Sequence, residues 1–220
     1  MFRVLAQPRW SLGLLIVAAA AVGFVLLGFW QLSRHDEQQF RNMALSNQEL
    51  VVGLSPGVGV YQLVEVEGSW EPGSTFEVVP RNRNGVLGAS VVSIFGTDSG
   101  EYVAVDRGWT EAIGDLPEPA PLESVTIVGR LIESQGSGTS PLASRRYGRL
   151  DLGAFALEID KPLFPLALVA DSISPDSTRL ATDVRLTPSS TPHLSYAYQW
   201  FSFSAVVVIG FMLLLRKVSR

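Results

Sequence analysis

Residues 10–30 read WSLGLLIVAAAAVGFVLLGFW and residues 196–215 read YAYQWFSFSAVVVIGFMLLL, and neither stretch holds a charged side chain. At about 1.5 Å of rise per residue, the first run of 21 residues and the second of 20 each reach about 30 Å, the thickness of a bilayer's hydrocarbon core. Trp10 and Trp30 bracket the first run, where amphipathic rings favour the interface. Tyr196, Tyr198 and Trp200 open the second, and Arg216 and Lys217 close it. The pattern predicts one transmembrane helix near each end of the chain. A cleaved signal peptide is the competing reading of the first run, with Arg3 and Arg9 as its basic region and Ala18–Ala21 as small residues for cleavage. Cleavage there would strand residues 22–30 as an apolar stub. A buried core helix is the competing reading of the second, and its uncharged length with a basic close speaks against it.

Charge sets the expected orientation. Arg3, Arg9, Arg216, Lys217 and Arg220 lie outside the two runs with no acid among them. Lys and Arg favour the cytoplasmic side, so both termini are expected inside and the middle outside, in the cell (plasma) membrane. Arg34 and Arg41 oppose this at the outer end of the first helix and are outnumbered. The stretch 34–199 holds 12 basic against 21 acidic residues. Such an acidic domain makes nucleic acid a poor partner, because phosphates demand clustered Lys and Arg. The chain has no cysteine and two histidines. That argues against thiolate zinc sites, disulfide scaffolds and a closed structural zinc site.

Between the helices the periodicity changes. Residues 33–49 continue in helical spacing, and residues 53–59, with Pro56, break it. Residues 64–67 then alternate, and residues 75–79, 88–95, 101–106, 125–132 and 164–170 are further strand candidates. Glu71-Pro72-Gly73, Asn82 to Gly85 and Asp98-Ser99-Gly100 read as the turns between them. Residues 153–159 read as a short helix. Residues 114–121, 134–141 and 188–192 read as loops. The expected fold is α+β: two transmembrane helices flanking one mostly antiparallel barrel- or sandwich-like extracytoplasmic domain. The expected organisation is a cytoplasmic tail at 1–9, helix one at 10–32, the β-rich domain at 33–195, helix two at 196–215 and a second cytoplasmic tail at 216–220.

Little in the sequence points to catalysis. It shows no nucleophile elbow, phosphate loop or dinucleotide fingerprint, and the carboxylates read as mostly solvated. His35 follows the first helix and His193 precedes the second, which puts both at the same outer membrane boundary. A helix beginning near Leu194 places His193, Tyr196, Ala197 and Trp200 on one face. Two readings are open there. A polar residue can simply mark the interface. Alternatively, an imidazole beside aromatic rings can ligate haem iron, with Arg34 meeting a propionate. Arg81, Arg83 and Arg107 sit at turns or strand ends, suited either to binding an anion or to internal ion pairs.

Four ordered motifs resemble the Surfeit locus one family, membrane proteins that assist cytochrome c oxidase assembly, and most resemble its bacterial, actinobacterial-like members. The first is Gly28-Phe29-Trp30-Gln31-Leu32-Ser33-Arg34. The second is Val64-Glu65-Val66-Glu67-Gly68-Ser69-Trp70, followed by Arg81, Gly85 and Gly88. The third is Val103-Ala104-Val105-Asp106-Arg107-Gly108-Trp109, with Asp106 where the family commonly has Asn. The fourth runs from His193 through Tyr196 and Trp200 to Phe201. The resemblance implies a non-catalytic protein that handles haem a for the oxidase's large subunit, with haem a synthase and the lipid bilayer as further partners. It implies His193 as a ligand of haem iron, while His35 lies outside the family pattern. A scaffold that steadies the oxidase or a respiratory supercomplex without touching haem is the alternative.

Overall fold

The computed structural model describes residues 7–111, 113–114, 117–119, 124–136, 140–175, 180 and 186–219. The loop readings at 114–121 and 134–141 lie partly outside these residues. The chain forms two compact units, one of Met1–Met43 with Pro188–Arg220 and one of Ala44–Thr187.

The first unit is a helix pair. Helix α1 runs Pro8–Ser46, a single 39-residue helix that carries the apolar run and its polar extension without a break. Leu and Ala favour it, and the first breaker is the Asn47 turn, whose side-chain Oδ1 accepts from Glu49 N at 2.9 Å. Helix α3 runs His193–Val218, three residues earlier than the apolar run alone marks out. Both helices are long and apolar enough to cross a membrane. Leu12, Leu15, Ile16, Val22, Leu26 and Val206 are all more than half exposed. Water would not tolerate such a surface on an unpartnered helix.

The two helices run antiparallel, because the start of α1 meets the end of α3 and the later part of its apolar run meets the first turns of α3. Trp10 meets Phe211, Ala21 O accepts from Ser204 Oγ at 3.1 Å, Phe24 stacks on Trp200, and Phe29 meets Phe201 edge-on. Beyond the apolar run, Gln38 and Asn42 both donate to Ser189 O, at 2.9 and 2.8 Å. Ala21, Gly28 and Ser204 are the small residues at these contacts, and they admit a hydroxyl or a ring close to the facing backbone.

The second unit is sheet-rich. Its strands are β1 Leu50–Val52, β2 Leu63–Arg83, β3 Val86–Thr97, β4 Tyr102–Thr110, β5 Val125–Glu133, β6 Arg146–Tyr147 and β7 Leu166–Ser174, with helix α2 at Leu152–Ile159 before β7. The pairings β2·β3, β3·β4, β5·β7 and β2·β5 are antiparallel, and β4·β7, β1·β2 and β2·β6 are parallel. The sequence of pairings β2-β3-β4-β7-β5 returns to β2.

The expected turn at residues 71–73 is not a hairpin. It is an irregularity inside β2, whose register against β3 shifts between Trp70 and Thr75. Gly73 takes a left-handed φ of +65° there, so the chain bulges and continues. The two strand candidates on either side are therefore one 21-residue strand. The Asn82–Gly85 reading does close a hairpin. Arg83 pairs with Val86, and Asn84 and Gly85 have φ of 52° and 86°, the left-handed pair a tight two-residue turn requires.

Both faces of the sheet are covered. Val64, Val66, Trp70, Phe95, Val105 and Ile127 fill one apolar cluster, and Phe76, Val92, Ile94 and Ala104 join α2 residues in the other. In the second, Phe76 stacks on Phe155 at 4.3 Å and Tyr147 meets both rings edge-on. Helix α2 is started by Asp151, whose Oδ1 accepts from Ala154 N at 3.1 Å.

Candidate functional site

The first and fourth motifs meet within the helix pair. His193 is the first residue of α3. Its half-buried ring sets Nδ1 2.9 Å from Gln31 Oε1 of α1. Gly28, one turn before Gln31, is buried beneath Phe201. Ala197, one turn after His193, is wholly buried. Ser189, clamped by Gln38 and Asn42, fixes the chain just before Pro192 and the start of α3. His193 is thus held from both directions along the chain.

The other candidates divide. Trp200 stacks with Phe24 at 5.7 Å and meets Phe203 edge-on, so its ring is spent on packing the helices together. Tyr196 is 45 % exposed, at the edge of the face that Ala197 buries. Arg34 lies 5.8 Å over the Trp30 ring and pairs with Glu37 at 2.7 Å on the helix surface. His35 is half-buried and sits one turn beyond Gln31, on the α1 stripe that also carries Gln38 and Asn42.

The arrangement suits a flat apolar group with a metal at its centre. Among the described residues His193 Nε2 has no hydrogen-bond partner, while Nδ1 is engaged. Phe29, Trp30, Tyr196 and Tyr198 expose aromatic surface on the same two helices. Among the described residues no group of three or more metal-ligating side chains gathers, so a protein-only metal cage is not offered here.

The second and third motifs meet in the β-rich unit, and there the arginines are built into the fold. Arg107 is buried, donates to Ser93 Oγ at 3.1 Å and to Pro117 O at 2.6 Å, and lies 5.4 Å over the Trp70 ring. Ser93 in turn meets Thr75, which donates to Glu118 Oε2 at 2.7 Å. Asp106, also buried, accepts from Gly108 N at 3.1 Å. Trp109 lies on Gly88, donates Nε1–H to Arg81 O at 3.3 Å, and has the Arg83 guanidinium 5.8 Å over its ring. Only Gly fits at 88, since a Cβ there would fall 2.2 Å from Thr110 O.

Among the described residues Glu77, Asp106 and Asp151 are buried carboxylates. Glu77 is 2 % exposed, accepts from Gly114 N at 2.6 Å and forms an ion pair with Arg146. Burial, and then its hydrogen bond to Glu158, push the Tyr147 phenol well above the usual tyrosine range. Hydrogen bonds that the Lys161 ammonium donates to Glu71 and Tyr102 hold it above its ordinary range. A cavity of about 470 Å³ opens beside Pro56, Tyr102, Leu163 and Phe164, and none of its lining residues belongs to the four motifs.

Sequence reasoning missed Gln31 as a partner of His193 and missed Arg130. Gln31 lies inside the first motif and on the Gln31–His35–Gln38–Asn42 stripe, a signal at helical spacing that marks a contacting face. Arg130 carries no comparable local signal.

Compared with known families, residues 18–205 match the SURF1 family. A SURF1-like protein of Rickettsia bellii (strain RML369-C) is 26 % identical over 227 residues, covering 93 % of this chain and 91 % of that protein.

Proposed function

The chain belongs to the SURF1 family, and on that premise we propose that it is an assembly factor for a haem-copper cytochrome c oxidase that binds haem a at His193 and assists its insertion into the large catalytic subunit. The observation that carries this reading is the pairing of His193 with Gln31, which leaves one imidazole nitrogen unengaged at the mouth of an antiparallel pair of apolar helices. Haem a would supply an iron centre able to take a neutral imidazole nitrogen as a ligand. His193 would be that ligand. Trp30 and Tyr196 would shield the apolar group from water, and Arg34 would meet a propionate. Trp200 would act from behind, by stacking on Phe24 and keeping α3 in register.

The proposal extends to placement. Basic residues beyond both apolar runs favour cytoplasmic termini in the plasma membrane, with the β-rich domain outside. It also extends to mode of action, a binding protein rather than an enzyme. The buried carboxylates Glu77, Asp106 and Asp151 are engaged by internal hydrogen bonds, which leaves them ill suited to acid–base work. Haem a synthase is the fitting donor and the large subunit the fitting acceptor.

The test is a visible spectrum of the full chain purified from cells that make haem a. Haem absorption that is lost in His193→Ala supports the reading. Wild type without haem, or a variant that carries as much, overturns it. Exposed apolar surface along both helices favours a second reading, a scaffold that packs against oxidase helices. Oxidase that co-purifies with haem-free wild type, and equally with His193→Ala, supports that reading instead.

A further inference from the structure

We infer that Gln31 is a positioning residue for His193: its side-chain oxygen holds the imidazole proton on Nδ1 and thereby presents the Nε2 lone pair outward as the metal-ligating atom. The inference rests on the reading of His193 as the haem ligand.

The argument begins with proton bookkeeping. A neutral imidazole carries one N–H, and an amide oxygen can only accept. With Gln31 Oε1 2.9 Å from Nδ1, the proton belongs on Nδ1 and Nε2 is the free base. The opposite tautomer would point a lone pair at a lone pair and cap Nε2 with a hydrogen. Metal-bound histidines gain orientation and basicity from such a partner on the far nitrogen.

The surrounding structure holds Gln31 and His193 level with each other. Gly28, one turn before Gln31, admits the Phe201 ring, and a Cβ at residue 28 would fall 2.4 Å from Phe201 Cε1. Ser204 Oγ donates to Ala21 O further along the same pair. On the other side, Asn42 both donates to Ser189 O and accepts from Ser189 N at 3.1 Å. The helix register is thus set above and below the Gln31–His193 bond by contacts that do not involve either residue. A site held this way needs little reorganisation when a ligand arrives.

Two measurements on the full-length protein in detergent test the inference. The first needs no haem. The chain has two histidines, so His35→Ala leaves a single imidazole, and ¹⁵N NMR of labelled histidine reports its tautomer. The expected spectrum is an Nδ1-protonated ring, converting to the Nε2-protonated form or a mixture when Gln31→Leu is added. An Nε2-protonated ring with Gln31 intact overturns the inference. The second is titration with haemin, followed by the Soret band. Gln31→Leu is expected to weaken binding about 10- to 100-fold. Gln31→Glu, which keeps an acceptor on Nδ1, is expected to restore binding and shift the bound haem's midpoint potential to more negative values.

The outcomes separate the two claims. If His193→Ala abolishes binding while Gln31→Leu binds as wild type does, the role of Gln31 is refuted and His193 stands. If His193→Ala binds as wild type does, the ligand reading itself fails. If both Gln31→Leu and Gln31→Glu weaken binding equally, Gln31 serves packing alone and the inference is wrong.

Discussion

The Phe201 ring occupies the space into which any side chain at residue 28 would project. A Cβ on Gly28 would lie 2.4 to 2.8 Å from three carbons of that ring. Phe29 meets the same ring edge-on at 5.5 Å, which limits its escape. The first and fourth motifs are therefore joined by shape as well as by the Gln31–His193 bond.

Gly28→Ala is expected to loosen the helix pair by about 1–3 kcal/mol, the range for overpacking a fitted contact. Removing the ring as well should recover part of the loss, because the two sites share one contact. The check is the thermal midpoint of Gly28→Ala, Phe201→Ala and the double variant in detergent. Strictly additive losses would refute the interlock.

Trp109→Phe should cost about 1–2 kcal/mol, combining the lost bond from Nε1–H to Arg81 O with a weaker ring beneath Arg83. Urea unfolding of the full chain, followed by far-UV circular dichroism of the sheet, measures it. A variant as stable as wild type would show that the second and third motifs do not depend on this indole.

Arg130 is buried and donates to Tyr61 O and Asn47 O at 3.0 Å and to Ala44 O at 3.4 Å. Ala44 lies in the last turn of α1 and Asn47 just beyond it, where a cation is favoured. Arg130→Ala is expected to cost about 2–4 kcal/mol, through charged hydrogen bonds at about 1.5–3 kcal/mol each, partly offset by relaxation. Arg130→Lys should recover little, since an ammonium cannot reproduce the planar fork. Hydrogen exchange at residues 44–47 reads the effect, and protection equal to wild type in Arg130→Ala would disprove it.

Tyr147 makes stability depend on alkaline pH. Its proton is held more tightly folded than unfolded, chiefly by burial and then by the Glu158 bond. The unfolded chain begins to lose the proton near about pH 10 while the folded one keeps it. The contribution is therefore complete below about pH 10 and is lost as pH rises beyond it. Tyr147→Phe should cost about 1 kcal/mol at neutral pH and flatten the decline in unfolding midpoint above about pH 10. An unchanged slope would contradict the assignment.

Much of this was legible along the chain. Two uncharged runs of helix length specify apolar helices whatever surrounds them, because backbone groups removed from water must pair within the segment. Alternation at residues 64–67 and the Asn84-Gly85 pair marked a strand and a hairpin, since side-chain period and left-handed φ are local properties. Glu71-Pro72-Gly73 misled for the same reason. Its local chemistry suits a turn, but pairing of β2 on both sides of it with β3 carried the strand through as a bulge.

The sequence by itself determined the two helices, most of the strand positions and the motif residues. Only the tertiary structure decided what those residues do for one another. It buried Arg107 beneath Ser93 and the Pro117 carbonyl, turned Trp200 inward onto Phe24, and set Gln31 beside His193 across 162 positions of chain. Helical and strand periodicities fix which residues share a face, over a few turns or a few strand residues. The partner that a face receives depends on register between distant segments. That register was set by close fits such as Gly28 against Phe201, whose two members carry no sign of each other in the chain.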